Sequence, residues 1–549
     1  MILFQIKIKI RYFLFILYMQ SILAIDETEM NIEYKIKEKN LFELNSSYII
    51  TRIVYTKSNN YFNNYLFGIF LVSNNTNFSD AVPISMIKIN SNELLIPNNQ
   101  ISSKYIRYIP PNINSSSITP IILYGKNSSI IDDITYFQAT NLPLILVNTE
   151  NNIEPLIKEK YIKSKIILIN EGKININQTG QIKVRGHSTS VQIKKPLKIK
   201  FDKKQEIPEI KGKFKKWTLL ANSLDKSLIR NILAFKISEL MEFEFTPRCI
   251  PTDLILNWNF RGTYFICDQI EVNENRVNIN KMDIFDISYP NITGGYLLEF
   301  DLKIFETNSL YEKSLFLTDR GLVGGIKHPD SDIIHSKQFN YINKFLNTME
   351  KNVYNGNLTN IDLFTFSKFF LIEEFCGDID FVLSSFYFYK KRNIDRIYFG
   401  PVWDFDLAFD NHELLIPTND KNVFCFNFGD SAGSLRDFIK TLLKNKNVMN
   451  NIKKTWKEFQ EKGIDINNLK NFIEDKKNLL SESAGLNFLK WYNSTYGEEK
   501  DEFFKNVDVL VNYIEKRFDK LTFLLNNYNN SVNNMIFSYI IILYILFLY

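Results

Sequence analysis

The chain has 549 residues, enough for roughly two to four domains, and 45% of them are hydrophobic and 14% aromatic. These fractions exclude an intrinsically disordered protein. With 66 basic and 61 acidic residues the net charge is +5, so the charge balance does not call for nucleic acid or another strongly acidic partner.

The N-terminal 24 residues predict a signal peptide. Lys7, Lys9 and Arg11 precede an apolar run that ends near Ala24, and acidic residues follow. An uncleaved membrane anchor is the alternative. Ten glycosylation sequons agree with a secretory route, although some arise by chance in so asparagine-rich a chain: Asn45, Asn74, Asn77, Asn114, Asn127, Asn177, Asn291, Asn357, Asn493 and Asn529.

Residues 25–150 predict a small β-rich, sandwich-like domain. Short alternating strands are expected at Tyr48–Tyr55, Tyr65–Val72, Ile84–Ile89 and Ile118–Tyr124, separated by Asn, Ser and Pro turns. The alternative is a set of strands that only pack onto the following domain.

A candidate phosphate-binding loop follows, within a second domain expected over residues 160–526. Arg185-Gly-His-Ser-Thr-Ser190 is a short loop of small hydroxyl residues between two predicted strands. Its N–H and hydroxyl groups could cradle phosphate. Lys195, Lys198 or Lys200 on the next strand could reach the phosphate oxygens. Most loops of this kind, however, are ordinary turns.

A helix is predicted from about Asp225 to Met241, with Ser223 or Asp225 as its cap. Arg230 lies among its apolar positions, so it either snorkels to solvent or meets a carboxylate or phosphate. Farther along, Glu271 and Glu299 lie on predicted strands. They are candidates to pair with a phosphate-binding lysine, or they simply occupy a solvated strand face.

Two acidic segments predict one cation site. A helix expected over 361–375 leads into Asp378 and Asp380, and a strand pair delivers the chain to Asp404, Asp406 and Asp410. In an extended segment, Asp404 and Asp406 would point to the same face. Converging carboxylates in an apolar wall suit a hard cation such as Mg²⁺. Helix caps and turns are the competing explanation for these aspartates.

The C-terminal region predicts an all-helical lobe over residues 435–526. Residues 527–549 comprise a polar segment and the apolar run Met535–Tyr549, which carries no charge. This outline is typical of a GPI-attachment signal, with a membrane-anchored tail helix as the alternative. The four cysteines, Cys249, Cys267, Cys376 and Cys425, lack zinc-site spacing. A Cys249–Cys267 disulfide is expected if the two lie on paired strands.

From about residue 165 to 450 the chain resembles the CotH-type kinases. Motifs in the same order carry the resemblance, the main ones being Arg185-Gly-His-Ser-Thr-Ser190, Trp217-Thr-Leu-Leu-Ala-Asn222, Asp225-Lys-Ser-Leu-Ile-Arg-Asn231, Thr293-Gly-Gly-Tyr-Leu-Leu-Glu-Phe-Asp301 and Gly400-Pro-Val-Trp-Asp-Phe-Asp406. The resemblance implies an α+β, atypical protein-kinase-like fold, preceded here by the β-rich domain. It also implies use of ATP with Mg²⁺ or Mn²⁺.

The resemblance further implies a role for each matching residue. Asp380 would be the catalytic carboxylate, and Asp404, Asp406 and Ser385 would hold metal. The nucleotide-binding set would be Arg185, Gly186, Ser188, Thr189, Lys195, Lys198 and Lys200. Supporting residues would be Asp225, Arg230, Glu271, Glu299, Asp378 and Trp403. The sequence departs from the family's pattern at His187 and Asp378, where Asn is usual or often found, and it carries Ser385 at the position where an ordinary kinase has Asn as its second metal ligand.

The implied function is phosphoryl transfer from ATP to serines of secreted or surface proteins, by a protein anchored at the cell surface. The alternative is a GPI-anchored adhesin or invasin that uses a kinase-like fold to bind a host or cell-surface receptor. A carbohydrate-active enzyme with paired carboxylates is a weaker third reading, because the motif order speaks against it.

Overall fold

The computed structural model describes residues 29–55, 65–88, 93–96, 100–111, 121–127, 134–186, 188–302, 314–411, 424–427, 433–462, 465–492 and 499–528. The predicted signal peptide, His187 and the run Met535–Tyr549 lie outside these ranges. None of the helices in the described ranges is both long enough and apolar enough to cross a membrane.

The described chain divides into two compact units. The first contains the residues up to Asn152 together with Lys165–Asn177 and Asp253–Arg261, and the second contains the rest. The first unit is therefore built from three stretches rather than from residues 25–150 alone. The predicted boundary between 150 and 160 stays a prediction.

The N-terminal region is β-rich, as predicted, and its eight strands form one connected sheet. The sheet order is β1-β8-β3-β7-β4-β5, and β2 and β6 also pair with β3. The strands are β1 Met30–Ile32, β2 Tyr34–Glu38, β3 Leu41–Tyr55, β4 Ile69–Ser73, β5 Val82–Met86, β6 Glu93–Leu95, β7 Ser102–Ile109 and β8 Ile121–Asn127.

The long strand β3 organises this sheet because it changes partner along its length. Its first half pairs mainly with β7 and its second half with β8. One buried cluster draws on both halves and on neighbouring strands, for example Phe42, Ile53, Val72 and Leu123. The strand predicted at Tyr65–Val72 begins only at Ile69, because Phe67 has a left-handed φ of 69° and residues 65–67 form a turn.

Seven further strands close into a barrel in the order β10-β11-β12-β13-β15-β14-β9. Their bounds are β9 Leu144–Thr149, β10 Ile162–Asn170, β11 Lys173–Val184, β12 Leu197–Gln205, β13 Phe214–Leu220, β14 Cys249–Leu256 and β15 Asn259–Asp268. The disulfide expected between Cys249 and Cys267 is present and links β14 to β15, whereas Cys376 and Cys425 are buried thiols.

A five-stranded sheet of order β17-β18-β16-β19-β20 carries Glu299 on β16, and Ser385 lies directly before β19. Its strands are β16 Tyr296–Phe300, β17 Leu315–Leu317, β18 Val323–His328, β19 Phe386–Lys390 and β20 Ile397–Phe399. Three helices belong to the same unit, α1 Arg230–Leu240, α2 Ser336–Tyr354 and α3 Leu363–Cys376.

Helix α1 begins at Arg230 and not at Asp225 as predicted. Leu228 has a left-handed φ of 59°, which a right-handed helix does not accommodate. The Asp225 carboxylate stabilises this turn because it accepts hydrogen bonds from the N–H groups of Ser227 and Arg230, both at 2.9 Å. Asp225 therefore satisfies the first N–H of the helix from five residues upstream.

The helical C-terminal region is confirmed. It comprises α4 Gly433–Lys444, α5 Lys446–Glu461, α6 Ile466–Trp491 and α7 Glu499–Asn527. Helix α7 is fastened to α3 by Arg517, whose guanidinium is fully buried and donates to the Glu374 carbonyl oxygen at 2.6 and 2.9 Å. Because Asp378 follows directly after α3, this contact stabilises the end of the helix that leads into the candidate site.

Candidate active site

Asp406 interacts with three other aspartates, one from its own segment and two from other segments. Asp406 is buried, and it lies close enough to Asp404, Asp225 and Asp380 for their charges to act on it. Burial first, and then repulsion from Asp404, raises the pKa of Asp406 well above its ordinary value. The two acidic segments thus meet in the fold, as the sequence predicted, and Asp225 joins them.

Helix α1 holds the Asp404–Asp410 segment in place. The Arg230 Nε donates to the Ala408 carbonyl oxygen at 3.1 Å, and its Nη1 lies 2.6 Å from Asp225 Oδ1. Asn231 accepts from the Phe405 N–H at 2.8 Å. Of the two roles considered for Arg230, it therefore pairs with a carboxylate, and both side chains of the pair are 1% exposed.

The prediction that Asp404 and Asp406 share a face of an extended segment is wrong. Asp404 has a left-handed φ of 74°, and residues 400–411 form no strand. The two carboxyl groups meet through a side-chain hydrogen bond instead. Trp403, just before this turn, stacks on Phe235 of α1 with ring centroids 5.8 Å apart.

Ser385 lies against Asp404. Its hydroxyl donates to Asp404 Oδ2 at 3.2 Å, and its own φ is 60°. Two non-glycine residues in the left-handed region, in contact with each other, store backbone strain of the kind found at functional sites. The structure therefore places Ser385 in contact with Asp404, one of the two aspartates with which it was predicted to hold metal.

Asp378 and Asp380 occupy different environments. Asp378 is 2% exposed and accepts from the Asp380 N–H at 2.9 Å, so it shapes the turn after α3. Asp380 is partly exposed, and Ser384 Oγ lies 3.3 Å from its Oδ2. Of the two, Asp380 is the carboxylate that a substrate can reach.

A group of cations lies beside the carboxylates. Arg185 interacts electrostatically with Asp404, and its guanidinium lies 5.4 Å from the centre of the Trp403 ring. Lys198 lies in turn near Arg185, Lys216 and Lys183. Burial, and then the charges of these neighbours, lowers the pKa of Lys198 to about 8.

The three candidate lysines separate clearly. Lys198 interacts with the cation group just described, whereas Lys195 donates to the Ser190 carbonyl oxygen at 2.7 Å and so braces the 185–190 loop. Lys200 is exposed and lies opposite Lys216 in the β12–β13 register.

Within the 185–190 loop, Gly186 has a φ of 89°, and a Cβ there would lie 2.4 Å from Thr189 Oγ1. Ser188 and Thr189 lie in the short helical turn Ser188–Val191, half-buried.

The two candidate glutamates have cationic partners. Glu271 lies 2.6 Å from Arg276 Nη1 and 3.9 Å from Lys216 Nζ. Glu299 is 6% exposed and pairs with Lys327 at 2.5 Å. For Glu299 the solvated strand face considered as an alternative is wrong, because β16 is the central strand of its sheet and is buried.

Sequence reasoning missed Lys183, Lys216 and Lys327. Lys183 and Lys198 are directly opposite in the β11–β12 ladder, so they share a face of the barrel wall. Recognising this needs the register of three strands, which a single sequence does not supply. A local signal is the basic residue at every second position, at Lys183 and Arg185 and again at Lys198 and Lys200.

The donor set fits a hard divalent cation. Carboxylate and hydroxyl oxygens are the ligands that Mg²⁺ and Mn²⁺ prefer, and a cation would relieve the repulsion that acts on Asp406. Within the described part of the chain, however, no three carboxylate, thiol or imidazole groups are arranged as a ready-made metal site. Metal binding by these groups is therefore a proposal.

Comparison with known proteins identifies the family. No curated protein matches the chain significantly. One solved structure that matches is the CBM62 from Clostridium thermocellum Xyl5A, 22% identical, covering 17% of this chain and 73% of that one with a TM-score of 0.15, too low to carry an argument. The family profile described as "CotH kinase protein" matches residues 182–521, more than half of the chain. The chain belongs to the CotH kinase family.

Proposed function

We propose that this protein is a metal-dependent atypical protein kinase of the secretory pathway or cell surface, with a protein-kinase-like fold. It transfers the γ-phosphoryl group of ATP to serines of secreted or surface proteins. The observation that carries the proposal is the meeting of Asp380, Asp404 and Asp406 beside Arg185 and Lys198. Phosphoryl transfer requires mainly positioning and charge neutralisation, and these groups provide both.

Each residue has a role set by its surroundings. Asp404 and Asp406, with the Ser385 hydroxyl, would hold Mg²⁺ or Mn²⁺, which when bound neutralises phosphate charge. Arg185 and Lys198 orient the phosphate oxygens through charge-assisted hydrogen bonds. Asp380, the more accessible carboxylate of its loop, accepts the proton of the substrate serine and orients its hydroxyl group.

The proposed location and substrates rest on the sequence. The N-terminal segment, the sequons and the apolar C-terminal run support a secreted protein attached to a membrane, by GPI or by a tail helix. Serine-rich secreted or surface proteins are the substrates proposed for such a kinase. The competing proposal is an adhesin, and labelling from ATP separates the two.

The test is transfer of label from γ-labelled ATP by the full chain, with Mg²⁺ or Mn²⁺ and a serine-rich acceptor protein. The expected result is labelled phosphoserine in the wild type and its loss in Asp380→Asn, with nucleotide affinity retained. The matched control is Asp475→Asn on the exposed face of α6, which should label like the wild type. Labelling that survives Asp380→Asn refutes the role of Asp380. Retained cell binding with no ATP binding supports the adhesin.

A further inference from the structure

Strands β11–β13 of the barrel carry an excess of positive charge that the proposed mechanism uses only in part. Residues 178–220, the second half of β11 with β12 and β13, contain 12 Lys and Arg but 3 Asp and Glu, whereas the whole chain has 66 and 61. A single lysine on a solvated strand face needs no partner. The position of these lysines relative to one another therefore decides what they can bind.

Strand register places four of the lysines on one face of the barrel wall. Lys183 lies opposite Lys198, and Lys200 lies opposite Lys216. Because Lys198 and Lys200 are two residues apart on β12, the two pairs share a face. The residues between them are fully buried on the inner face: Ile182, Ile199 and Trp217. We call the group of Lys183, Lys198, Lys200 and Lys216 the lysine surface.

The lysine surface is unfavourable without an anion. Like charges directly opposite each other in an antiparallel pair destabilise the pair, and both pairs here are like-charged. Glu271 lies 3.9 Å from Lys216, but it lies 2.6 Å from Arg276 as well, so it offsets little of the positive charge. Four ammonium groups held side by side by strand register fit a ligand with several separate negative charges.

The two ends of the lysine surface differ. At one end Arg185, two residues after Lys183, interacts with Asp404, and its charge also acts on Lys198. At the other end Asp202, two residues after Lys200, accepts from Thr179 Oγ1 at 2.5 Å and interrupts the basic face. The surface therefore starts beside the candidate active site and extends over two rows of side chains, about 6.6 Å apart at about 3.3 Å per residue.

We propose that Lys183, Lys200 and Lys216 bind acidic side chains of the acceptor protein, so that the kinase selects serines in acidic, extended segments. This inference rests on the proposed function. An extended peptide directs alternate side chains to one side, also about 6.6 Å apart, and so matches the two rows. Lys198, the lysine that interacts with Arg185, stays available for the ATP phosphates. Complementary charges of this kind fix the register of the bound segment and exclude basic competitors.

The test compares two serine peptides of equal length as acceptors for the full chain with Mg²⁺–ATP. One peptide has Glu at alternate positions on both sides of the serine, and the other has Gln there. The Glu peptide should have a kcat/KM about tenfold higher, mainly through a lower KM. Tenfold corresponds to about 1.4 kcal/mol, which a few partly exposed ion pairs supply. High salt should reduce the preference.

Charge reversal at Lys200, an exposed residue, separates recognition from a structural role. Lys200→Gln should reduce the preference for the Glu peptide to about threefold. Lys200→Glu should reduce it further, and should raise the kcat/KM of a third peptide that has Lys at the same positions. The matched control is Lys516→Glu, which makes the same charge change at an exposed position of α7 and should leave all three values within about twofold.

Three results overturn the inference while leaving the kinase proposal intact. One is equal use of the Glu and Gln peptides by the wild type, or failure to label either. Another is a higher KM for ATP in Lys200→Glu with an unchanged peptide preference, which assigns Lys200 to the nucleotide. The third is binding to phosphatidylserine vesicles that Lys200→Glu abolishes, again with an unchanged peptide preference. If the serine-rich acceptor protein is also unlabelled by the wild type, the proposed function itself fails.

Discussion

Replacing Arg230 by Met tests whether α1 holds the proposed metal-binding segment. The change removes three contacts of a fully buried guanidinium: 2.6 Å to Asp225 Oδ1, 3.1 Å to Ser227 Oγ and 3.1 Å to the Ala408 carbonyl oxygen. Breaking a buried ion pair from one side costs about 3–5 kcal/mol, because the remaining charge is left uncompensated. Asp225 keeps three donors, the Ser227 hydroxyl and two N–H groups, so we expect about 3 kcal/mol.

The assay is urea denaturation followed by tryptophan fluorescence, since Trp403 lies beside the segment in question. The matched control is Lys236→Met on the same helix, whose ion pair with Glu239 at 3.2 Å is exposed to solvent. Its loss should change the free energy of unfolding by no more than about 0.5 kcal/mol. Adding Asp225→Asn to Arg230→Met should restore part of the lost stability, because no buried charge is then left without a partner.

A loss below about 1 kcal/mol in Arg230→Met would refute this reasoning, since it is the size of an exposed ion pair. A large loss that Asp225→Asn does not reduce would place the importance of Arg230 in its contact with Ala408 alone. In the first case the stability of the Asp404–Asp410 segment would depend on other contacts, such as that between Asn231 and Phe405.

Three other predictions concern the site itself. Without added metal at neutral pH, Asp406→Asn should increase the free energy of unfolding, because the raised pKa of Asp406 means that its charged form destabilises the fold at this pH. The same variant should weaken Mn²⁺ binding in a titration. Above pH 8 the affinity for ATP should fall as Lys198 loses its proton, and Lys198→Arg should abolish this pH dependence between pH 7 and 9. Ser385→Asn should strengthen Mn²⁺ binding, because an amide oxygen is a better ligand and Asn tolerates the left-handed φ of 60°, whereas Ser385→Ala should weaken it.

Local patterns predicted most of the secondary structure. The helical spacing of apolar residues indicated α1, α3 and the helical C-terminal region, and alternating residues between turns indicated many of the strands. Errors occurred at the ends, as at Asp225 and Tyr65, where a left-handed residue delays the start of the element. Such conformations depend on contacts with distant residues and leave little trace in local sequence.

Part of the candidate site was also predictable from the sequence. Asp380, Asp404, Asp406, Arg185 and Lys198 stand out because charged side chains in apolar or strand segments need a partner. Their family motifs gave each of them a proposed role. The partners themselves, such as Lys327 for Glu299 and Lys183 for Lys198, follow from strand register, which is fixed only when distant strands pair.

The sequence by itself determined the family, the α+β class and the chemical type of the candidate site, because these depend on residue types and their order along the chain. Only the tertiary structure decided which lysine of three lies near Arg185, that Arg230 pairs with Asp225, and that Asp404 meets Asp406 through a turn. The physical reason is that electrostatic contacts depend on distances of a few ångströms. Those distances are set by the packing of α1, the barrel wall and the five-stranded sheet.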